Sequence, residues 1–221
     1  MPKLSKKKSA KKSKPKAVKK SASRKKSRKP AVSLKKQPHI EKVRDIKVVN
    51  IVVSSSLGHD IPLEKMAATL SNTEYNPEQF PGLVIRIREP KTSALIFSSG
   101  KIVCTGARSM EKVEESIKKI IKSLEKINIF IKIKPKINIQ NIVAAGSIGM
   151  DLNLNTLAMK LDNTEYEPEQ FPGLVYKLPD AQATFLLFSN GKIVCTGTKS
   201  EQEVEIALDK LIESLKKVGT K

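Results

Sequence analysis

One feature limits the folds open to this chain more than any other: a long internal repeat. Residues 72–84 read NTEYNPEQFPGLV and residues 163–175 read NTEYEPEQFPGLV, a separation of 163 − 72 = 91 positions. The same shift lays FSSGKIVCTG (97–106) on FSNGKIVCTG (188–197) without insertion or deletion. Self-similarity of this length marks one structural unit used twice. Any binding surface on one copy should therefore have a counterpart on the other.

Charge does not follow the repeat. The 221-residue chain has a net charge of +20, and residues 1–36, with 15 lysines, 2 arginines and no acid, account for +17 of it. That leaves 20 − 17 = +3 for everything from Gln37 onward. Residues 1–38 have too little apolar surface to offset the entropy of ordering, so a disordered basic Lys/Ser-rich tail is expected. Such a tail reads as a nonspecific nucleic-acid arm or a localisation signal, with simple solubilisation as the plainer alternative. Repeat 1 is placed at 44–130 and repeat 2 at 135–221.

The two cysteines, Cys104 and Cys195, are equivalent under the shift and lie inside apolar KIVCTG runs. A disulfide is conceivable, but a lone thiol in such a run packs as a small hydrophobe, which suits a reducing compartment. No apolar run reaches the 18 residues of a membrane span, and no apolar h-region follows the basic N-terminus. A soluble intracellular protein without membrane association is expected.

Hydrophobic periodicity places the elements. Asp45–Ser54 alternates, with Ile46, Val48, Asn50, Val52 and Ser54 assigned to one face and Lys47, Val49, Ile51 and Val53 to the other. Asp60 and Pro62 open a short helix with Leu63, Met66, Ala67 and Leu70 as its stripe. Three strands follow over 82–88, 93–97 and 101–105, separated by turns at 89–91 and 98–100. Ser109 then begins a long helix with Met110, Val113, Ile117, Ile120, Ile121 and Leu124 on one side. In the second copy Ser200 and Glu203 have capping-box spacing. Each unit is thus strand, short helix, three or four strands and long helix, an α+β class.

A long helix covers only one face of such a sheet, so the other face is the informative one. In KIVCTG, Ile102 and Cys104 oppose Lys101, Val103 and Thr105, and the second copy repeats the pattern. With the helix on the Ile/Cys side, the open side presents Asn50, Val52, Val103 and Thr105 with Asn141, Val143, Val194 and Thr196. A face of valines with a few short polar groups is a binding surface.

The doubled EYxPExFPGLV, the LIFSSGKIVCTGA run (95–107) and QNIV (140–143) resemble the core domain of the TATA-box-binding protein family, most closely its archaeal branch. The resemblance runs from about Asp45 to Lys217. It implies a saddle-shaped, pseudo-two-fold fold, a curved antiparallel sheet of about ten strands with four helices on the convex side. It also implies a general transcription initiation factor that binds the minor groove of promoter TATA elements in double-stranded DNA. By the same resemblance Phe80, Phe97, Phe171 and Phe188 intercalate, one pair at each end of the element. The family is itself the reference case for such kinking, so the bend comes from the resemblance. Unstacking a step costs a few kcal/mol and burying one Phe gains roughly 1.5–3 kcal/mol, so two per kink about balance it.

Groove chemistry accounts for the remaining positions. A·T pairs show only acceptors in the minor groove, whereas G·C adds an amino donor. Val52, Val103, Val143 and Val194, which match family contacts, offer that amine no acceptor and no room. Asn50 and Asn141 carry amide donors, Thr105 and Thr196 carry hydroxyls, and Leu95 and Leu186 share the face of Phe97 and Phe188. Arg86, Arg88, Lys91, Lys101, Lys177 and Lys192 are phosphate candidates; Arg86, Lys101, Lys177 and Lys192 match basic family positions. Glu78-Gln79 stands where some relatives carry a basic residue before the first Phe, which weakens one backbone contact of the family. Glu167, Glu169 and Gln170 match the loop that receives transcription factor B, with Gln170 replacing the leucine of eukaryotic relatives.

Through transcription factor B the resemblance implies RNA polymerase as an indirect partner. It implies a monomer on DNA, leaving self-association through the concave face open for the free protein. Location is the cytoplasm or nucleoid in an archaeon, the nucleus in a eukaryote. No cofactor or metal is implied. An enzyme is disfavoured, because His39 and His59 are the only histidines, neither recurs at the shift, and no metal or nucleophile spacing is present. The competing reading is a DNA-coating or architectural protein dominated by its tail.

Overall fold

Two long strands lie at the centre of the fold. In the computed structural model, which describes residues 45–219, β1 (Asp45–Ser56) pairs antiparallel with β6 (Asn138–Ser147). Ile51 stands directly opposite Ile142, and 142 − 51 = 91, so the pseudo-two-fold axis passes between them. The tail expected over 1–38 lies outside the described residues.

Repeat 1 continues with α1 (Leu63–Thr69), β2 (Thr73–Glu74), β3 (Gly82–Ile87), β4 (Thr92–Phe97), β5 (Lys101–Ala107) and α2 (Met110–Glu125). Repeat 2 follows β6 with α3 (Leu154–Lys160), β7 (Thr164–Glu165), β8 (Leu174–Lys177), β9 (Thr184–Leu187), β10 (Lys192–Thr198) and α4 (Glu201–Val218). The strands form one ten-stranded sheet in the order β2-β3-β4-β5-β1-β6-β10-β9-β8-β7, with every pairing antiparallel. This is the curved sheet and four-helix complement of the expected α+β saddle.

The helices form where capping and periodicity direct them. Ser109 Oγ accepts from the Lys112 amide at the start of α2, and Val113, Ile117, Ile120 and Leu124 are buried at spacings of four, three and four. Each such side chain contributes roughly 1.5–3 kcal/mol on burial. Ser200 caps α4 through the Glu203 amide (3.1 Å), while the Glu203 carboxylate returns to the Lys199 amide (2.8 Å) instead of to the cap itself. The capping box is therefore displaced by one residue. Pro62 is the N-cap of α1, one position before the helix.

The alternation read through β1 is corrected by a bulge. The register with β6 shifts between Val48 and Asn50, and again between Val52 and Val53. Ile46 and Val48 consequently pack against the core, whereas Asn50 and Val52 belong to the half-exposed face. One extra residue reverses the phase of a strand. Here it is Val49, which is exposed, and its counterpart Gln140 does the same in β6. A second local device was not read from sequence: the two-residue edge strands β2 and β7 inside the repeated motif.

The cores of the halves differ more than their outlines. Ala94 corresponds to Phe185, Ile85 to Tyr176, and the hydrogen-bonded Thr92–Ser116 hydroxyl pair (2.8 Å) to Ala183 and Ala207, all of them buried. Repeat 2 thus carries the larger residues at the first two positions and lacks the buried hydroxyl pair at the third. Of the remaining phenylalanines, Phe130 is exposed in the inter-repeat segment.

Cys104 and Cys195 are free and buried, and burial pushes each thiol up to about 11. At pH 8 the thiolate fraction is then about one in a thousand. Iodoacetamide at pH 8 should leave both unmodified in the native protein and alkylate both in guanidinium, as read by intact mass. Modification of the native protein would contradict this packing.

Candidate nucleic-acid interface

The face not covered by helices carries two aromatic pairs. Phe80 and Phe97 meet edge to face with ring centroids 5.9 Å apart, and Phe171 and Phe188 repeat the arrangement at 5.9 Å. Phe80 and Phe171 are each 43% exposed, far more than a core phenylalanine. Glycine makes the arrangement possible. A Cβ on Gly82 would stand 2.6 Å from the Phe80 ring and 3.2 Å from that of Phe97, and one on Gly173 would meet Phe171 at 2.6 Å and Phe188 at 3.0 Å. The edge-to-face contact holds each exposed ring in place without burying it.

Between the aromatic pairs lies an apolar band. Val84 pairs with Leu95, Leu95 with Val103 and Val103 with Ser54; on the other side Val175 pairs with Leu186, Leu186 with Val194 and Val194 with Ala145. All of these face residues are half-buried, while Leu83, Ile85, Ile96 and Ile102 on the opposite face are buried. Val84 and Val175 share this face and were not among the positions expected on it. Alternation from Gly82 places them on this side, so the signal was available.

At the axis, Asn50 lies opposite Val143, and Val52 opposite Asn141. Each asparagine is locked. Asn50 Oδ1 accepts from the Gly106 amide at 2.7 Å, and Asn50 Nδ2 lies 3.1 Å from Thr105 Oγ1. Asn141 does the same with Gly197 (2.8 Å) and Thr196 (2.9 Å). Gly106 and Gly197 sit at bulges with φ of +98° and +94°, which turns their amides toward the asparagines. Because the carbonyl oxygens are engaged, each half-exposed asparagine keeps one amide N–H of Nδ2 to donate elsewhere.

The cations do not behave alike. Arg86 grips Glu74 with two hydrogen bonds, 3.2 and 3.0 Å, and Lys177 pairs with Glu165 at 2.8 Å. These acids, on the edge strands β2 and β7, were not anticipated as neighbours. Lys101 and Lys192 begin β5 and β10, each beside the inner phenylalanine of its half. Arg88 and Lys91 lie together past the end of β3, near Asn50 and Thr105, with the additional cation Arg108. Their repeat-2 counterparts are Pro179 and Gln182. Glu167, Glu169 and Gln170 are exposed on a tight turn in which the Gln170 and Phe171 amides both donate to the Glu167 carbonyl. That turn therefore joins the acidic lip directly to a phenylalanine of the face.

The sequence comparisons agree with this geometry. The family model described as "Transcription factor TFIID (or TATA-binding protein, TBP)" matches the chain twice, over residues 45–127 and 136–218. The chain belongs to the TATA-binding protein family. The TATA-box-binding protein of Methanocaldococcus jannaschii is 51% identical over 174 residues, 79% of this chain and 95% of that protein. That of Methanothermococcus thermolithotrophicus is also 51% identical over 174 residues, 79% of this chain and 96% of its own length. The solved structure of the Methanococcus jannaschii TBP superposes with a TM-score of 0.74 at 50% identity, covering 79% of this chain and 99% of that one. TATA-binding protein relatives of archaeal type are transcription factors, not enzymes. Among the described residues no helix is long and apolar enough to cross a membrane.

The Arg86 guanidinium, by hydrogen bonding and charge, holds the Glu74 carboxyl below its ordinary value. A lowered folded-state value means the pair stabilises the fold above the ordinary glutamate range and loses that effect as pH falls through the folded-state value. Carboxyl NMR titration should show Glu74 titrating below an ordinary glutamate, and Arg86→Ala should move it upward toward that value. No movement in the variant would show that the ion pair is not formed in solution.

Proposed function

We propose that this chain is a general transcription initiation factor that binds the minor groove of a promoter TATA element, kinks it by inserting phenylalanines at both ends, and recruits transcription factor B and, through it, RNA polymerase. One observation carries the reading. Exposed aromatic pairs, an apolar band and outward-facing donors share one sheet face, and each recurs across the axis at Ile51 and Ile142.

The chemistry supports a minor groove rich in A·T. Donors from the locked Asn50–Thr105 and Asn141–Thr196 clusters match N3 and O2 acceptors, which all A·T pairs present near the groove floor. Beside them, Val52, Val103, Val143 and Val194 offer nothing to a guanine amine. Burying that donor unsatisfied costs about 1–3 kcal/mol. Phe80 with Phe97, and Phe171 with Phe188, act as wedges; Leu95 and Leu186 fill the space behind them. Arg86, Arg88, Lys91, Lys101, Lys177 and Lys192 hold phosphates, which positions the duplex without reading its sequence.

Glu167, Glu169 and Gln170 are the surface for transcription factor B. The protein acts on DNA as a monomer, and when free its apolar concave face is the surface through which two copies would associate. The basic tail adds nonspecific attraction without setting base choice.

Two experiments test the reading. The double substitution Phe171→Ala with Phe188→Ala should remove bending, measured by energy transfer across a labelled duplex, and weaken binding roughly ten- to hundredfold. The melting temperature should stay near that of the parent, since Phe171 is 43% exposed and Phe188 lies on the same open face rather than in the core. Undiminished bending would refute the wedges. Deleting residues 1–36 should flatten the salt dependence of binding yet keep the preference for a TATA duplex over a G·C-substituted one. A truncated protein without that preference would favour the tail-dominated alternative.

A further inference from the structure

The open face ends, beside the Phe80–Phe97 pair, in a groove bounded by the ends of β1 and β5 and by the segment leading into β6. Lys101, Lys134 and Lys136 line it together with serine hydroxyls, and no acid does. None of these lysines has an ion-pair partner among the described residues. The segment that supplies two of them is pinned on both sides of Lys134. Ile133 occupies the space over Gly58, its Cδ1 only 2.6 Å from where a Cβ would stand, and the Ser55 hydroxyl donates to the Lys136 carbonyl at 2.9 Å. Ser54 Oγ accepts from Gln140 Nε2 at 2.8 Å, which leaves its own proton to donate.

The two-fold partner of this groove has different chemistry. Under the 91-residue shift Lys136 becomes Asp45, Ser54 becomes Ala145 and Ser55 becomes Gly146, while Lys101 becomes Lys192. Asp45 and Lys192 line that second groove and cancel in charge, and Asp45 already engages Lys47 at 2.9 Å. Among the described residues, a groove with three lysines and hydroxyl donors thus has as its two-fold counterpart one lined by a single lysine and an acid.

We propose that the Lys101–Lys134–Lys136 groove is a backbone-phosphate site for one strand of duplex DNA, built on the repeat-1 side only. This rests on the reading of the open face as a DNA surface. Ammonium and hydroxyl donors with no competing carboxylate suit phosphate oxygens, and such contacts add affinity without base preference. Repeat 1 also carries Arg88 and Lys91 where repeat 2 has Pro179 and Gln182. The outlines are two-fold, but the grip on the backbone is one-sided.

The test uses the full chain and measures affinity against salt on a TATA duplex and on its G·C-substituted counterpart. Each phosphate contact adds about 0.9 to the slope of log K against log salt. Lys134→Gln with Lys136→Gln should therefore flatten the slope by about 1.8, with the ratio of affinities for the two duplexes unchanged. Asp45→Lys, which supplies the missing cation to the second groove, should steepen it by about 0.9. Lys118→Gln with Lys122→Gln, on the outer surface of α2, should leave it unaltered. An unchanged slope in the Lys134/Lys136 variant that still prefers TATA overturns the site. No steepening with Asp45→Lys overturns the claim that Asp45 is what spoils the second groove. A flattened slope in a protein with no TATA preference would leave the phosphate site standing and defeat the minor-groove reading instead.

Discussion

The pairing of β1 with β6 is the constraint on which the rest depends. With Ile51 set against Ile142, each repeat is placed by the other, and eight further strands extend outward in mirrored order. A register slip of one residue would exchange the two faces of these strands. The compensating bulges near Val49 and Gln140 keep that from being a simple alternation. They send Ile46, Val48, Ile137 and Ile139 to the helices while keeping Asn50, Val52, Asn141 and Val143 on the open side. Local irregularity at the centre is thus what lets long strands serve the core along one stretch and the open face along the next.

Much of this was legible in the sequence, and the limits have physical reasons. The repeat gave the two-fold, capping residues gave the starts of α2 and α4, and period-two patterning in KIVCTG separated Cys104 from Val103 correctly. Ile46 and Val48 were misassigned because a bulge is one residue of extra backbone and leaves composition unchanged. The edge strands β2 and β7 are two residues long, too short for any period. Neither the Glu74–Arg86 nor the Glu165–Lys177 pair could be read, since each joins residues 12 apart that only the hairpin geometry brings together.

The asparagine clusters show how a surface acquires polarity from backbone geometry. An isolated carboxamide offers a donor and an acceptor in equal measure. Here Gly106 and Gly197, in conformations that side-chain-bearing residues rarely adopt, supply amides that occupy the acceptors. Glycine therefore acts twice on this face, once by presenting an amide and once, at Gly82 and Gly173, by leaving room for a ring.

The unequal cores bear on what keeps the halves alike. Some buried positions of the two repeats have drifted apart, Ala94 against Phe185 and Ile85 against Tyr176, whereas Asn50, Val52, Val84, Leu95, Val103 and Thr105 each have an identical counterpart on the open face. A protein interior answers only to its own volume, so one half can trade a large residue for a small one without consulting the other. The centre of the open face shows less of that liberty, although at the edge of the band Ser54 has become Ala145. Under the proposed function, a duplex that presents the same contour from either end would impose that identity, and the symmetry of the surface would then be a cast of its ligand as much as a remnant of the duplication.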